Sequence, residues 1–166
     1  MILNRRLRKV DRMLRAFAAV TLVTLGLIPL SGAQSVRKTV DPEIEAAVIR
    51  VLDDFLAGLN DGDLVAQQRA MHFPHYRLAN GMMTVLDQPP TRPAAADGIR
   101  RTDPEWHHTK WDRRNIVGWS SEKVHVDTQF TRYRKDDTPI ASYESLYVVT
   151  KEQGRWAVKL RSSFVP

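Results

Sequence analysis

The residues with chemistry to offer in this sequence are His72, His75, Arg132, Tyr143 and Tyr147. The two histidines stand three positions apart and titrate near neutral pH, which makes them candidate general acids or bases. A tyrosine hydroxyl polarises a carbonyl and an arginine stabilises an enolate, so Tyr143, Tyr147 and Arg132 suit a proton-shifting reaction on a carbonyl compound. With His107 or His108 the same histidines have donor atoms for a metal. Phe73-Pro74 interrupts helical spacing between them, however, and no acidic residue stands where it would complete a ligand set. Neither a metal nor a cofactor is expected, and a structural histidine is the plainer reading.

Charge depends on the first 33 residues. Arg5, Arg6, Arg8, Lys9, Arg12 and Arg15 precede an apolar run from Ala16 to Leu30, followed by the small residues Ser31, Gly32 and Ala33. This is the pattern of a secretion signal cut after Ala33. The apolar run contains Pro29 and falls short of the ~20 residues a spanning helix needs, which argues against a retained anchor. The expectation is a periplasmic or secreted protein with no stable membrane insertion after cleavage. Arg8 stands where a twin-arginine export signal prefers an apolar residue. The leader holds six of the 25 Lys and Arg and one of the 19 Asp and Glu, leaving 19 against 18, a net charge of +1. The sequence pI of 9.9 therefore resides mainly in the leader, and no nucleic-acid partner is expected. With no cysteine, disulfides, thiol catalysis and cysteine-based zinc sites are excluded.

The elements that must position these side chains follow a short linker, 34–40, in a domain spanning 41–166. Asp41-Pro42 is a helix start, and Ile44, Val48, Val51, Leu52, Phe55 and Leu59 recur at helical spacing. Asn60-Asp61-Gly62 ends that helix, and Asp63 caps a second one expected to run to about His72 and stop before Pro74. Asn80-Gly81 centres a hairpin over 75–86 that puts Leu78 opposite Met83 and Tyr76 opposite Val85 on one face, with Arg77 and Thr84 on the other. The loop from Asp87 to Glu105 has room for a short helix over 94–101.

From Trp106 to Phe164 the pattern is a four-stranded meander with turns at Ser121-Glu122, Asp136-Asp137 and Gln153-Gly154. Counting outward from those turns assigns side chains to faces. The inner face collects Trp119, Val124, Val149 and Val158; then Val117, Val126, Tyr147 and Leu160; then a polar row of Asn115, Thr128, Ser145 and Ser162. Beyond it come Arg113, Phe130, Tyr143 and Phe164, with Trp111 beside Arg132 as a cation-aromatic pair at the rim. A one-residue shift in the last strand would instead turn Lys159, Arg161 and Ser163 inward. The expected ligand site comprises Phe55, Trp111, Asn115, Thr128, Phe130, Arg132, Tyr143, Ser145 and Tyr147. It is an apolar pocket with a polar end, as small-molecule sites commonly are. The plain alternative is that these hydroxyls and amides bond one another and satisfy the sheet. Ile140, Leu146 and Val148 form an apolar patch on the outer face.

Two helices, the run Leu59-Asn60-Asp61-Gly62-Asp63 between them, a hairpin and a closing meander with Gly154-Arg155-Trp156 together resemble the nuclear transport factor 2-like superfamily, including SnoaL-like and ketosteroid isomerase-like domains. The resemblance spans about 41–164 and implies an α+β cone, a curved antiparallel sheet wrapped around the first helix, with a ligand pocket between them and homodimerisation through the outer sheet face. His72-Phe73-Pro74-His75 and Arg161-Ser162-Ser163-Phe164 are similar to runs in bacterial members that carry no assigned reaction. The isomerases' catalytic residues do not transfer: their helix tyrosine corresponds to Phe55, their general-base aspartate falls near Leu78 to Asn80, and their second acid corresponds to Ser145 or Tyr147. The resemblance therefore implies the cavity without that mechanism. What the sequence supports is an exported domain for a small, largely apolar molecule, with isomerase, dehydratase or cyclase-type chemistry open. The alternative is a non-catalytic association domain of the cell envelope.

Overall fold

The computed structural model describes residues 39–165, so the expected leader over 1–33 and most of the linker lie outside the described residues. Helix α1, Pro42–Asp61, starts as its sequence requires: the Asp41 carboxylate accepts from the Glu43 amide at 2.9 Å, and Pro42 fills the first turn. It ends at Gly62, whose φ of 67° is the left-handed conformation a non-glycine residue adopts only at a cost. Asp63 caps α2, Leu64–Arg69. Gly58 lets the two helices meet, since a Cβ there would lie 2.5 Å from the Gln67 amide nitrogen.

Strands β1 (Met71–Ala79) and β2 (Met82–Leu86) form the hairpin, followed by α3 (Ala94–Thr102), β3 (His108–Trp119), β4 (Lys123–Tyr133), β5 (Pro139–Glu152) and β6 (Arg155–Ser163). Helix α2 is shorter than expected. The chain turns extended at Met71 and runs as strand through the cis Phe73-Pro74 bond, so His72 and His75 both lie on β1. The six strands make one sheet in the order β2-β1-β6-β5-β4-β3. Four neighbour pairs are antiparallel; β1 with β6 is parallel, so the sheet expected to be antiparallel is mixed. Among the described residues no helix is long and apolar enough to cross a membrane.

Register explains which side chains share a face. The β1-β2 pairs and the β4-β5 pairs from Val124↔Val149 to Arg132↔Ala141 match the count from their turns. In the hairpin it is the Arg77-Thr84 face that looks into the fold, leaving Met83 and Val85 exposed. Strand β3 starts in register at Trp119↔Val124, then slips at Val117 and again at Asp112. A bulge adds one residue to one strand, so every side chain beyond it changes face. Arg114 rather than Asn115 pairs with Thr128 and reaches Asp53 on α1. Asn115 instead sits opposite Asp127 and is exposed, and Arg113 turns outward to Asp127 at 2.9 Å and Glu144 at 3.6 Å. Strand β6 keeps Val149↔Val158 but slips at Lys159, giving Val148↔Leu160 and Tyr147↔Arg161. The expected row Asn115-Thr128-Ser145-Ser162 is thus Arg114-Thr128-Ser145-Ser163, and Phe164 is exposed.

The core sits between α1 and the concave sheet face. Val48, Leu52 and Phe55 pack with Met71, Val124, Val126, Tyr147, Val149 and Val158, each buried. Full burial of one such side chain contributes roughly 1.5–3 kcal/mol. A second cluster, Leu56 and Leu59 with Ala96 and Trp106, joins the far half of α1 to α3. Ile140 packs against this second cluster, because the pairing slips again between Arg132 and Tyr133, and so it leaves the expected outer patch; Leu160 takes its place beside Val148. Asn60 fastens the end of α1 to the edge strand β3. Its Oδ1 accepts from the Thr109 amide at 2.8 Å and its Nδ2 donates to the Thr109 carbonyl at 2.9 Å, as a neighbouring strand would.

Candidate functional site

Between the second half of α1, helix α3 and the open end of the sheet lies a cavity of about 360 Å³. That is toward the small end of the ~300–1,000 Å³ range of ligand pockets. Its apolar wall comes from Phe55, Leu56 and Leu59 of α1, Leu86 of β2, and Trp111 and Phe130 of the sheet. The aromatic rings brace one another edge-on: Phe55 to Tyr147 at 5.8 Å, Trp111 to Tyr147 at 5.5 Å and Trp111 to Phe130 at 6.1 Å. The Trp111 indole N–H donates to the Leu52 carbonyl at 3.4 Å, anchoring that wall to α1.

The polar lining is chiefly cationic. Arg77 comes from β1, Arg132 from β4, Arg161 from β6, and exposed Arg101 from α3. Arg132 is 4% exposed and pairs with Asp103 at the end of α3, while its guanidinium lies 4.8 Å over the Tyr143 ring. It stacks on Tyr143 rather than on Trp111, because the slip at Asp112 moves Trp111 opposite Phe130. Arg161 covers Phe55 at 5.3 Å. Burial, followed by the charges of Arg161 and Arg132, pushes the Arg77 pKa down. Burial pushes the Tyr147 hydroxyl up despite the nearby charges of Arg161 and Arg77, so the phenol stays protonated.

Of the residues expected to bind a ligand, Phe55, Trp111, Phe130, Arg132 and Tyr147 come together on the cavity wall. Asn115 faces away. Thr128 is fully buried, and its hydroxyl donates to the Ser145 carbonyl at 3.0 Å, so there the plain hydrogen-bonding alternative holds. Ser145 is buried beside it, and Tyr143 stands behind Arg132 rather than on the cavity surface. Arg161 and Ser163 face inward through the slip at Lys159, the alternative register of the last strand, and the lining from α3 comes from a stretch read mainly as loop.

Neither histidine reaches the cavity. The Nε2 of His72 lies 3.2 Å from the Thr150 carbonyl and 3.1 Å from that of Arg155, and the Arg155 guanidinium lies 3.0 Å from Nδ1. Carbonyls only accept and guanidinium only donates, so Nε2 carries the proton and the ring is neutral. Burial is the main cause of its lowered pKa. His75 has no exposed surface, donates from Nδ1 to the Val158 carbonyl at 3.2 Å, and has its pKa lowered to about 4 by burial and by Arg161. Backbone carbonyls thus hold both rings, and His72 lines a separate surface pocket with Glu152 and Arg155. His107 and His108 lie at the far edge of the sheet, beyond three intervening strands, where His108 meets Asp137 at 3.0 Å. Among the described residues no group of three or more histidines and acids is placed to hold a metal ion.

A helix-backed, mixed curved sheet with a cavity beneath its open end defines the nuclear transport factor 2-like, or cystatin-like, fold, and the chain has that fold. Among solved structures it is similar to a cystatin-like protein from Nostoc punctiforme, with TM-score 0.60 and 12% identity over 76% of this chain and 94% of that one. It is also similar to an NTF2-like protein from Shewanella oneidensis, with TM-score 0.56 and 17% identity over 74% and 99%. A ketosteroid isomerase-like protein from Erwinia carotovora gives TM-score 0.52 and 16% identity over 76% and 100%. No protein-family model and no curated protein matches the sequence.

Proposed function

We propose that this chain is an exported domain that binds a small, largely apolar molecule in the cavity between α1, α3 and the sheet. The observation that carries the reading is the cavity itself: about 360 Å³, walled by Phe55, Leu59, Trp111 and Phe130, with a few polar side chains among them. Export rests on the leader sequence alone. Binding is favoured over proton transfer. Among the described residues lining the cavity there is no carboxylate and no imidazole, and Tyr147, kept protonated by burial, can donate to a carbonyl but not act as base at neutral pH. Calorimetric titration with 2-naphthamide tests the reading. The wild type should give a saturable heat, and Ser163→Phe, which places a ring in the cavity, should remain folded and lose it. Binding that persists unchanged in Ser163→Phe contradicts it, as does a wild type that binds neither 2-naphthamide nor the corresponding acid, 2-naphthoate.

Self-association through the outer sheet face is the second reading, supported by the adjoining apolar side chains Leu146, Val148 and Leu160. The ion pairs of Arg113 with Asp127 and Glu144 surround a patch of only three residues, which ranks it below the first. A sedimentation mass of one protomer at high protein concentration would eliminate it.

A further inference from the structure

Arg77 and Arg161 are direct partners in the parallel pairing of β1 with β6, and both line the cavity. Like charges in register on neighbouring strands repel and weaken a sheet unless something neutralises them. Among the described residues nothing does: neither guanidinium forms an ion pair with an acid, and the cavity lining contains no acidic residue. Asp103, at the end of α3, is committed to Arg132. Among the described residues, Arg77 and Arg161 therefore add two positive charges that no acid pairs, and Arg101 of α3 adds a further guanidinium to the lining.

We propose that the molecule bound here is an apolar carboxylic acid, its carboxylate held between Arg77 and Arg161 and its body against Phe55, Trp111 and Phe130. The proposal rests on the binding reading above and specifies its ligand class. Three further features support it. The Nε atoms of Arg132 and Arg161 are buried with no hydrogen-bond acceptor, so these side chains do not simply carry their charge out to water. Tyr147 lines the cavity and stays protonated, so its hydroxyl can donate to an anionic oxygen. A planar guanidinium pairs with a planar carboxylate through two parallel hydrogen bonds, and an apolar setting strengthens each of them. A phosphate-bearing ligand would be larger in charge and more demanding of donors than this predominantly apolar cavity supplies.

The test compares 2-naphthoate with its uncharged isostere 2-naphthamide by calorimetry at neutral pH. Two charge-assisted hydrogen bonds should make the acid bind at least about tenfold more tightly than the amide. Arg161→Met should remove that preference, lowering affinity for the acid by at least about tenfold more than affinity for the amide, whose carbonyl loses only a neutral acceptor's hydrogen bond, and Arg77→Met should do the same. Because each substitution relieves a repulsion, thermal unfolding should occur at the same or a higher temperature. Should either variant fail to fold, wild type titrated at rising chloride concentration decides: affinity for the acid falls and that for the amide does not. Equal affinity for acid and amide in the wild type overturns the carboxylate proposal and leaves the cavity reading standing. Binding of neither compound overturns both.

Discussion

Asp103→Ala should destabilise the domain by about 3 kcal/mol, the scale expected when a buried ion pair loses one partner. Arg132 is 4% exposed, and Asp103 supplies its only carboxylate among the described residues. Removing that carboxylate strands a guanidinium beside Arg77 and Arg161, whose charges already oppose one another across β1 and β6. The penalty comes from the unpaired charge, so the double variant Asp103→Ala with Arg132→Met should recover most of the loss. Urea unfolding of the four proteins in that cycle measures both effects, and additive losses would show that the pair is not what holds α3 to the sheet. Asp103→Ala should also bind 2-naphthoate more tightly than the wild type, since it raises the positive charge at the cavity.

The second large effect is a pH dependence set by His75. In the folded domain its pKa is lowered to about 4, whereas in the unfolded chain it titrates near the ordinary value of 6.5. The unfolded state therefore takes up a proton first as pH falls, and stability drops between pH 6.5 and about 4. A difference of that size corresponds to about 3 kcal/mol at most. His72, also lowered by burial, adds in the same direction. The stabilisation is fully present above 6.5 and is not restored by further acidification. The charged groups bearing on His75 are Arg161 and Lys159, both of which disfavour its protonation. His75→Gln retains a side-chain N–H for the Val158 carbonyl without a titrating ring, and its stability should fall less over this window. Denaturant midpoints across that pH range provide the measurement, and parallel curves for the two proteins would rule His75 out as the cause.

Much of the fold was legible because its punctuation is local. Asp41-Pro42, Gly62, Asp63, Asn80-Gly81 and the Asp136-Asp137 turn each act within a few residues, and each lies where its chemistry requires. Alternation then placed Phe130, Arg132 and Tyr147 on the inner face, since β4 and most of β5 are free of slips. The errors arise at bulges. One extra residue at Asp112, Val117 or Lys159 leaves composition and propensity unchanged but reverses every later side chain, which sent Asn115 and Ser162 outward and brought Arg114 and Ser163 in. Doublets were the available sign: Arg113-Arg114 and Ile116-Val117 each pair similar residues where strict alternation would separate them, and Ala157 and Val158 are both fully buried although adjacent. His72 and His75 attracted attention because histidine titrates near neutral pH. Their burial against the carbonyls of Thr150, Arg155 and Val158 depends on the parallel β1-β6 pairing, a contact between segments more than 80 residues apart that local pattern does not report.

The most direct test of the central claim is a crystal structure of the domain grown with 2-naphthoate. The account predicts the naphthalene ring against Phe55, Trp111 and Phe130, with its carboxylate within hydrogen-bonding distance of both Arg77 and Arg161. A ring bound on the outer face near Leu146, or a cavity closed by movement of Phe130 and Trp111 with the ligand absent, would contradict it.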